Sequence, residues 1–396
     1  MRDLKAQAIA AIEESAAELV EVSRRIHANP ELSFAEHGAV DLLCGVLERC
    51  GLSPQRAAYG LDTSFRCEIG DQGPTVAILS EYDALPGLGH ACGHNLIAAM
   101  GLGAAVGLSR TVGLPGRVRY LGAPAEEEGA GKALMVAQGA FDGVEAAMMV
   151  HPAGANLEEM PSLAVTGVSA RFSGVASHAA SAPEAGVNAL DACVSAYQSI
   201  AQLRQHLTAD EKVHGIITHG GTAPNVIPER AEAVYLLRAR DVTRLTGLAS
   251  RVEACLSAGA LSAGATVSLT WWKHRYHELR SNGPLARAYR QNAEALGRSF
   301  VELAEVPLGV RGSTDMGNVS QVVPSIHPTI DIGSASTPPH SAGFADCAAS
   351  ASAEQALLDG AKAMAMTAID LLCQQELRTA VRQEFAREEA DEEVSP

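Results

Sequence analysis

Short apolar runs alternate with longer segments of helical period in the first part of the chain. The runs at residues 76–80, 118–122 and 146–150 are separated by helix-like segments at residues 96–109 and 131–138. Strands that alternate with helices predict βαβ units and a largely parallel sheet covered on both faces. The pattern therefore predicts an α/β fold.

Both ends of the chain are predicted to be helical. The first fifty residues have the apolar spacing of two helices, separated at Asn29-Pro30 because proline biases the preceding residue away from helix. Residues 351–386 have the pattern of one long helix. The acidic stretch from Glu384 to Glu393 is predicted to be a solvated tail.

The pattern changes between about residues 164 and 278. Strand patterns cover residues 169–174, 214–219, 231–238 and 265–272, and helical patterns cover residues 186–205 and 242–257. This βαββαβ order is that of a ferredoxin-like sandwich. Because elements of the first kind resume afterwards, we predict a domain formed by residues 1–163 and 279–396, with a second domain, 164–278, inserted in it.

Composition and charge exclude several classes of protein. The net charge of −16 gives no basic surface for nucleic acid, and no apolar run approaches the length of a membrane span. The first twenty residues carry charges within a helical pattern, unlike the uncharged core of a signal peptide. The 8 cysteines form no CxxC pair, as expected of reduced thiols. We therefore predict a cytoplasmic protein that binds neither nucleic acid nor membrane.

Polar residues follow each of the three apolar runs directly. Glu81 and Asp83 follow the first run, Glu126 and Glu127 follow the second, and His151 follows the third. Open α/β sheets bind ligands outside the carboxyl ends of their strands. We therefore expect these side chains to meet at one edge of the sheet.

Cys92 and His94 are two residues apart with a glycine between them. In a turning loop this spacing lets both side chains face one point, and a thiolate with imidazole and carboxylate groups is typical of a zinc site. A structural role for the pair is the alternative. The acidic run that contains Glu126 and Glu127 can equally be a solvated helix N-terminus. The functional interpretation gives the two adjacent carboxylates distinct tasks, in which one binds metal and the other accepts a proton from a metal-activated water.

Six segments of the chain resemble, in order, motifs of one known family. They are residues 26–33, 220–228 and 312–320, together with Asp83-Ala84-Leu85-Pro86, His90-Ala91-Cys92-Gly93-His94-Asn95 and Pro124-Ala125-Glu126-Glu127. The family is the aminoacylase and carboxypeptidase family of dinuclear-metal amidohydrolases. Within it, the chain resembles the branch of aminobenzoyl-glutamate hydrolases and aminoacyl dipeptidases, and the resemblance extends over almost the whole chain.

The resemblance implies a metallopeptidase-like catalytic domain that binds two divalent metal ions. The implied metal ligands are Cys92, His94, Glu127, His151 and His340. Glu126 is the implied general base, and Asp83 is predicted to hold a ligating histidine in place. Zinc suits the thiolate, whereas manganese and cobalt are alternatives that the carboxylates tolerate.

The resemblance also implies a role for the inserted domain, as a lid through which two copies of the chain form a homodimer. His178 resembles the histidine that reaches the other protomer's site and stabilises the oxyanion. Asn225 and Arg238 resemble residues that line the substrate pocket, where a guanidinium suits a carboxylate. Glu128 departs from the family, which often has glycine there, and Asn95 replaces the aspartate of a more distant branch.

We therefore predict a metal-dependent hydrolase that cleaves the amide bond of an N-acyl or N-aroyl amino acid or a dipeptide-like small molecule. A hydrolytic deaminase, or a hydrolase of a specialised amide, is the alternative use of the same site. A binding protein without turnover is disfavoured because Glu126 is present with all the candidate ligands. A phosphate-binding loop at residues 129–132 is rejected because Ala133 stands where that motif needs Ser or Thr.

Overall fold

The computed structural model describes residues 1–302 and 312–394. The chain divides into two compact units, of which the first is Met1–Pro161 with the chain from Leu279 onward and the second is Ser162–Glu278. Among the described residues, none of the helices has the length and apolar character needed to span a lipid bilayer.

The elements are numbered along the chain. The helices are α1 Arg2–Glu14, α2 Ala16–Ala28, α3 His37–Arg49, α4 His94–Ser109, α5 Gly131–Ala137, α6 Ala189–Leu203, α7 Val242–Ser262, α8 Gly283–Ala295, α9 Met316–Ser320, α10 Ala342–Cys347, α11 Ala351–Cys373 and α12 Gln375–Val394. The strands are β1 Gln55–Arg56, β2 Phe65–Ile69, β3 Thr75–Glu81, β4 Arg117–Ala123, β5 Ala146–Met148, β6 His151–Ala153, β7 Ala164–Ser173, β8 Ser177–His178, β9 Lys212–His219, β10 Val226–Ile227, β11 Arg230–Ala239, β12 Thr266–Trp271, β13 Ser325–Ile326 and β14 Thr329–Asp331.

The first unit is built on a sheet of strand order β1-β2-β4-β3-β5-β13. β3 lies parallel to β4 and β5, and β13 lies parallel to β5, whereas β1 and β2 add an antiparallel edge. The prediction of an α/β fold with a mainly parallel sheet is confirmed. Every residue of β3 is buried, as expected of a strand covered on both faces.

Helix α4 lies inside the core of the first unit. It is apolar around its whole circumference, and all its residues from His94 to Leu108 are buried. Gly101 permits this packing, because a Cβ atom there would overlap the side chain of Ser80 on β3. The close approach of α4 to β3 brings the start of the helix near the end of the strand.

The N-terminal region has three helices, where two were predicted. The break at Asn29-Pro30 is present, but the chain also leaves helical geometry at Ser15, which has φ −93° and ψ 0°. The prediction missed this break because the buried residues Ile12 and Leu19 are spaced by two helical turns across it.

The C-terminal prediction of one long helix is also wrong. Gln374 is extended, with φ −107° and ψ 104°, and separates α11 from α12. Arg378 donates hydrogen bonds to the carbonyl oxygens of Leu371 and Leu372 and so satisfies backbone groups that the helix end exposes. The acidic stretch is helical and forms part of α12, and Glu384 accepts a hydrogen bond from the backbone N–H of Gly283.

The second unit has a four-stranded antiparallel sheet of order β12-β7-β11-β9. Helices α6 and α7 pack against it, and their apolar side chains share a core with Phe172 and Tyr235 from the sheet. The order of its longer elements is βαββαβ. β8 and β10 form a separate antiparallel pair of strands, which was not predicted.

Candidate metal centre

The turn at Gly93 sets the directions of Cys92 and His94. Gly93 has φ 81°, a left-handed conformation that favours glycine, and it caps the N-terminus of α4. A Cβ atom at this position would lie 2.5 Å from Cγ of Pro152, so the loop is also packed tightly against β6. As a result Cys92, His94 and His151 gather their potential ligand atoms within 4.8 Å of one another.

A second group of potential ligands shares Cys92 with the first. The ligand atoms of Cys92, Glu127 and His340 also lie within 4.8 Å of one another, and Nε2 of His340 is 3.6 Å from Oε2 of Glu127. His340 has a left-handed backbone, with φ 60°, and its backbone N–H donates to the carbonyl oxygen of Ala91. The structure thus brings all the predicted ligands together around one shared thiol.

The hydrogen bonds of His94 and His151 leave one ring nitrogen of each histidine directed at the other potential ligands. Nδ1 of His151 lies 2.8 Å from the carbonyl oxygen of Pro152, and Nδ1 of His94 lies 2.9 Å from that of Asp83. A carbonyl oxygen can only accept, so both Nδ1 atoms carry a proton in these bonds. Nε2 of His151 then faces Sγ of Cys92 at 3.5 Å. Metal-binding histidines are oriented in this way.

Asp83 connects three parts of the site. Its Oδ1 is 3.1 Å from Nδ1 of His94, and its Oδ2 accepts hydrogen bonds from the hydroxyl of Ser33 and the backbone N–H of Glu127, each at 2.9 Å. Burial opposes the charge of this carboxylate, but its bonds to His94 and Glu127 lower its pKa to about 2. Asp83 is therefore ionised and holds both a histidine and a carboxylate of the cluster.

The cluster contains buried polar atoms that no described residue satisfies. Nε2 of His94, Oε1 of Glu81 and Oε1 of Glu127 are inaccessible to solvent and lack hydrogen-bond partners in the described part of the chain. Buried polar groups are normally paired, because an unpaired one costs about 1–3 kcal/mol. Nitrogen, sulfur and carboxylate oxygen directed at one point fit a divalent metal ion of zinc type.

Burial alone would lower the pKa of His94, but the neighbouring carboxylate of Glu81 raises it well above its ordinary range. Burial lowers the pKa of His151 to about 4, so its ring is neutral and can act as a ligand at neutral pH. Burial, with the nearby charges of Glu81 and Glu127, raises the pKa of Glu126 well above its ordinary range. A bound divalent cation would lower the pKa of Glu126, as it does that of any nearby carboxylate. Oε2 of Glu126 lies 3.9 Å from Nε2 of His94, close to the ligand cluster.

Sequence reasoning missed a buried ionic group beneath the cluster, formed by Glu81, Lys132 and Asp315. The Lys132 ammonium contacts both carboxylates, and all three side chains are fully buried. Burial alone would lower the pKa of Lys132, but Asp315 and Glu81 raise it above its ordinary range. The position of Glu81 at a strand end was the available signal. Lys132 belongs to the segment 129–132, which lacks the phosphate-loop pattern, and nothing in that segment marks it as buried.

The other predicted site residues, His178, Asn225 and Arg238, lie in the second unit. Val226 of β10 pairs with His178 of β8, and the carbonyl oxygen of Asn225 accepts a hydrogen bond from the backbone of Ala179. Nδ1 of His178 accepts from the backbone N–H groups of Ala180 and Ser181, so His178 carries its proton on Nε2. Arg238 is a half-buried residue of β11, and Glu128 is exposed.

Comparison with known proteins defines the class of the chain. Residues 77–370 match Peptidase family M20/M25/M40, and the chain belongs to this family. The prediction of a dinuclear-metal amidohydrolase family is confirmed, and the protein is a metal-dependent hydrolase.

The chain is similar to several individual members of this family. The chain is 41% identical over 400 residues to the Xaa-Arg dipeptidase of Mus musculus, covering 96% of this chain and 92% of the relative. It is 35% identical over 279 residues to a p-aminobenzoyl-glutamate hydrolase chain of Escherichia coli, covering 65% and 58%. A crystal structure of a dinuclear metal binding peptidase of the M20 family from Bacillus subtilis has a TM-score of 0.71 at 23% identity, covering 91% of this chain and 99% of that one. It has the same fold.

Proposed function

We propose that the protein hydrolyses the amide bond of a dipeptide or of an N-acyl or N-aroyl amino acid, using two divalent metal ions. The observation that carries this proposal is the pair of ligand groups that share Cys92, with Glu126 beside them. Dipeptides that end in arginine are the first substrates to test, because the Xaa-Arg dipeptidase matches almost the whole chain. Amides of glutamate with an aryl acid are the second.

We propose that Cys92, His94, Glu127, His151 and His340 would hold the two ions, with zinc the first candidate and manganese or cobalt the alternatives. Bound ions would supply Lewis-acid polarisation of the substrate carbonyl and of a water molecule. Each of the two ligand groups contributes three residues, and Cys92 belongs to both. A single cation would therefore leave two of the five proposed ligands unused.

In the proposed reaction Glu126 accepts a proton from the attacking water. The water oxygen forms a bond to the carbonyl carbon, and the amide C–N bond then breaks as Glu126 delivers its proton to the leaving nitrogen. Glu126 would hold this proton between the two steps, and its Oε2 lies 3.9 Å from Nε2 of His94, close to the proposed ligands. Asp83 keeps His94 oriented through the bond to Nδ1.

For the second unit we propose the role that the family resemblance implies, as a ferredoxin-like lid and dimerisation domain. His178 of the partner subunit would stabilise the oxyanion, and Asn225 and Arg238 would contact the substrate. The βαββαβ order and the exposed side chain of His178 support this proposal. A cytoplasmic location is proposed on the composition of the chain alone.

Hydrolysis assays combined with metal analysis test the proposal. The protein, loaded with Zn²⁺, Mn²⁺ or Co²⁺ in turn, would be assayed with Xaa-Arg dipeptides, p-aminobenzoyl-glutamate and N-acetyl amino acids. We expect two metal equivalents per chain and turnover of at least one of these classes. Two bound equivalents with no hydrolysis of any amide in the panel would contradict the proposed reaction. Sedimentation of the same samples tests the dimer.

A further inference from the structure

Lys132 is a buried lysine that contacts two buried carboxylates. Its ammonium donates to Oε2 of Glu81 and, at 2.6 Å, to Oδ1 of Asp315. The backbone N–H of Lys132 donates to Oδ2 of Asp315 at 2.8 Å, which links the first turn of α5 to the residue that precedes α9. Asp315 is therefore satisfied at both oxygens, and Glu81 at only one.

The second oxygen of Glu81 faces the metal cluster. Oε1 of Glu81 lies 3.2 Å from Nε2 of His94, yet neither atom has a hydrogen-bond partner among the described residues. Both side chains have 0% exposure, so solvent does not satisfy them. Glu81, His94 and Glu126 also form a group whose ligand atoms lie within 4.8 Å of one another.

Elsewhere in the first unit, the ion pair of Lys5 with Asp370 shows the hydrogen bonding expected of a pair that only stabilises the fold. Asp370 is paired with Lys5, and both of its oxygens are satisfied, because Asn292 donates to Oδ2 and Gln374 donates to Oδ1. Glu81 instead has one oxygen without a hydrogen bond, 3.2 Å from a nitrogen of His94 that also lacks one. A cation placed between these two atoms would satisfy both of them.

We propose that Glu81 supplies a carboxylate oxygen to the cation that His94 binds, and that Lys132 is the residue that positions this carboxylate. The inference rests on the proposed metal centre and adds a further ligand to it. Lys132 fixes Oε2 of Glu81 by a charge-assisted hydrogen bond, which leaves Oε1 directed at His94.

If Lys132 positions Glu81, removing Lys132 should change the metal affinity in the opposite direction from removing a nearby positive charge that has no other role. Lys132 is a cation close to the site, so a purely electrostatic neighbour would weaken metal binding, and its removal would strengthen it. A positioning residue would instead weaken metal binding when it is removed, because the Glu81 carboxylate would lose its fixed orientation. Removal of a residue that orients a ligand typically lowers metal affinity by about 10–100-fold.

The experiment measures Co²⁺ affinity by competition with a chelator, and the visible absorption of bound Co²⁺, which depends on its ligands. The variants are Glu81→Gln, Lys132→Met and the double variant. Lys362→Met is the matched control, since Lys362 is also buried and pairs with Glu13 at 2.9 Å. Circular dichroism and urea unfolding without metal show whether each variant is folded.

We expect Glu81→Gln and Lys132→Met each to lower the affinity for one Co²⁺ equivalent by about 10-fold or more, and to alter its absorption. The double variant should bind no more weakly than Glu81→Gln alone, and Lys362→Met should bind like the parent. Should Lys132→Met fail to fold, Glu81→Gln still decides the ligand role, and Lys132→Arg, which keeps the charge but changes the length and shape of the side chain, decides the positioning role by the same loss of affinity.

Unchanged affinity and absorption in Glu81→Gln would overturn the ligand role, and tighter binding in Lys132→Met would overturn the positioning role. A parent protein that binds no Co²⁺ would instead contradict the proposed metal centre itself. The two failures are therefore distinguishable.

Discussion

Substitution of Gly93 by alanine tests whether backbone geometry at the Cys92–His94 turn builds the metal centre. Gly93 combines φ 81° with tight packing, since an added Cβ would lie 2.5 Å from Cγ of Pro152 and 3.5 Å from Cε1 of Phe344. Pro152 follows His151 directly. A shift that relieves the overlap would therefore move a predicted ligand on either side of it.

The expected loss of stability has two parts. A left-handed backbone disfavours alanine by about 1–2 kcal/mol relative to glycine, and overpacking in a well-packed site costs typically about 1–3 kcal/mol. We therefore expect Gly93→Ala to lower the free energy of unfolding by about 2–5 kcal/mol. It should also weaken binding of Co²⁺.

Gly87→Ala is the matched control for the backbone part. Gly87 lies in the same loop with φ 72°, but an added Cβ there meets nothing within 4 Å. Urea denaturation without metal should give a loss of about 1–2 kcal/mol for Gly87→Ala, with Co²⁺ affinity unchanged. Equal stability losses in the two variants would refute the steric argument, and unchanged Co²⁺ affinity in Gly93→Ala would refute the link between this turn and the metal centre.

Three further predictions concern single side chains. Glu126→Gln should keep its metal content, measured by elemental analysis, and lose about 10²–10⁴-fold in turnover; an unchanged hydrolysis rate with metal bound would exclude Glu126 as the base. Cys92→Ala should lower metal affinity by more than the ~10–100-fold typical of residues that only orient ligands, with urea unfolding showing a folded chain. Glu36, which precedes α3, is buried and accepts hydrogen bonds from the hydroxyl of Thr63 and the backbone N–H of Ala125. Burial raises its pKa, so the stability that the protonated group contributes is present below the unfolded pKa and is lost as pH rises through the folded pKa. Urea unfolding at several pH values should therefore show a smaller decline with rising pH for Glu36→Gln, and parallel curves would contradict the assignment.

The errors of the sequence prediction lie at helix ends. Ile12 and Leu19 keep the helical period across the break at Ser15, so the break leaves no mark in the apolar pattern. The break at Gln374 depends on Arg378, which reaches back to the carbonyl oxygens of the preceding helix. Both breaks are local backbone events, and the hydrophobic period does not record them.

The predicted sheet and the candidate ligands followed from the sequence because both are local. Apolar runs mark buried strands, and the polar residues that end them lie at one edge of a parallel sheet. Cys92 and His94 are neighbours separated by a glycine, so their convergence needs only one turn. The family resemblance added His340, which no local pattern connects with the others.

Tertiary structure alone decided which polar groups meet beneath those ligands. Lys132 and Asp315 are 183 residues apart, and Lys132 and Glu81 are 51 apart, yet the three are in contact and fully buried. Each looks like an ordinary charged residue in the sequence, since nothing in its neighbours shows that it will lose contact with water. Burial and pairing are properties of the packed elements β3, α5 and α9, so the buried ionic group becomes visible only when those elements are assembled.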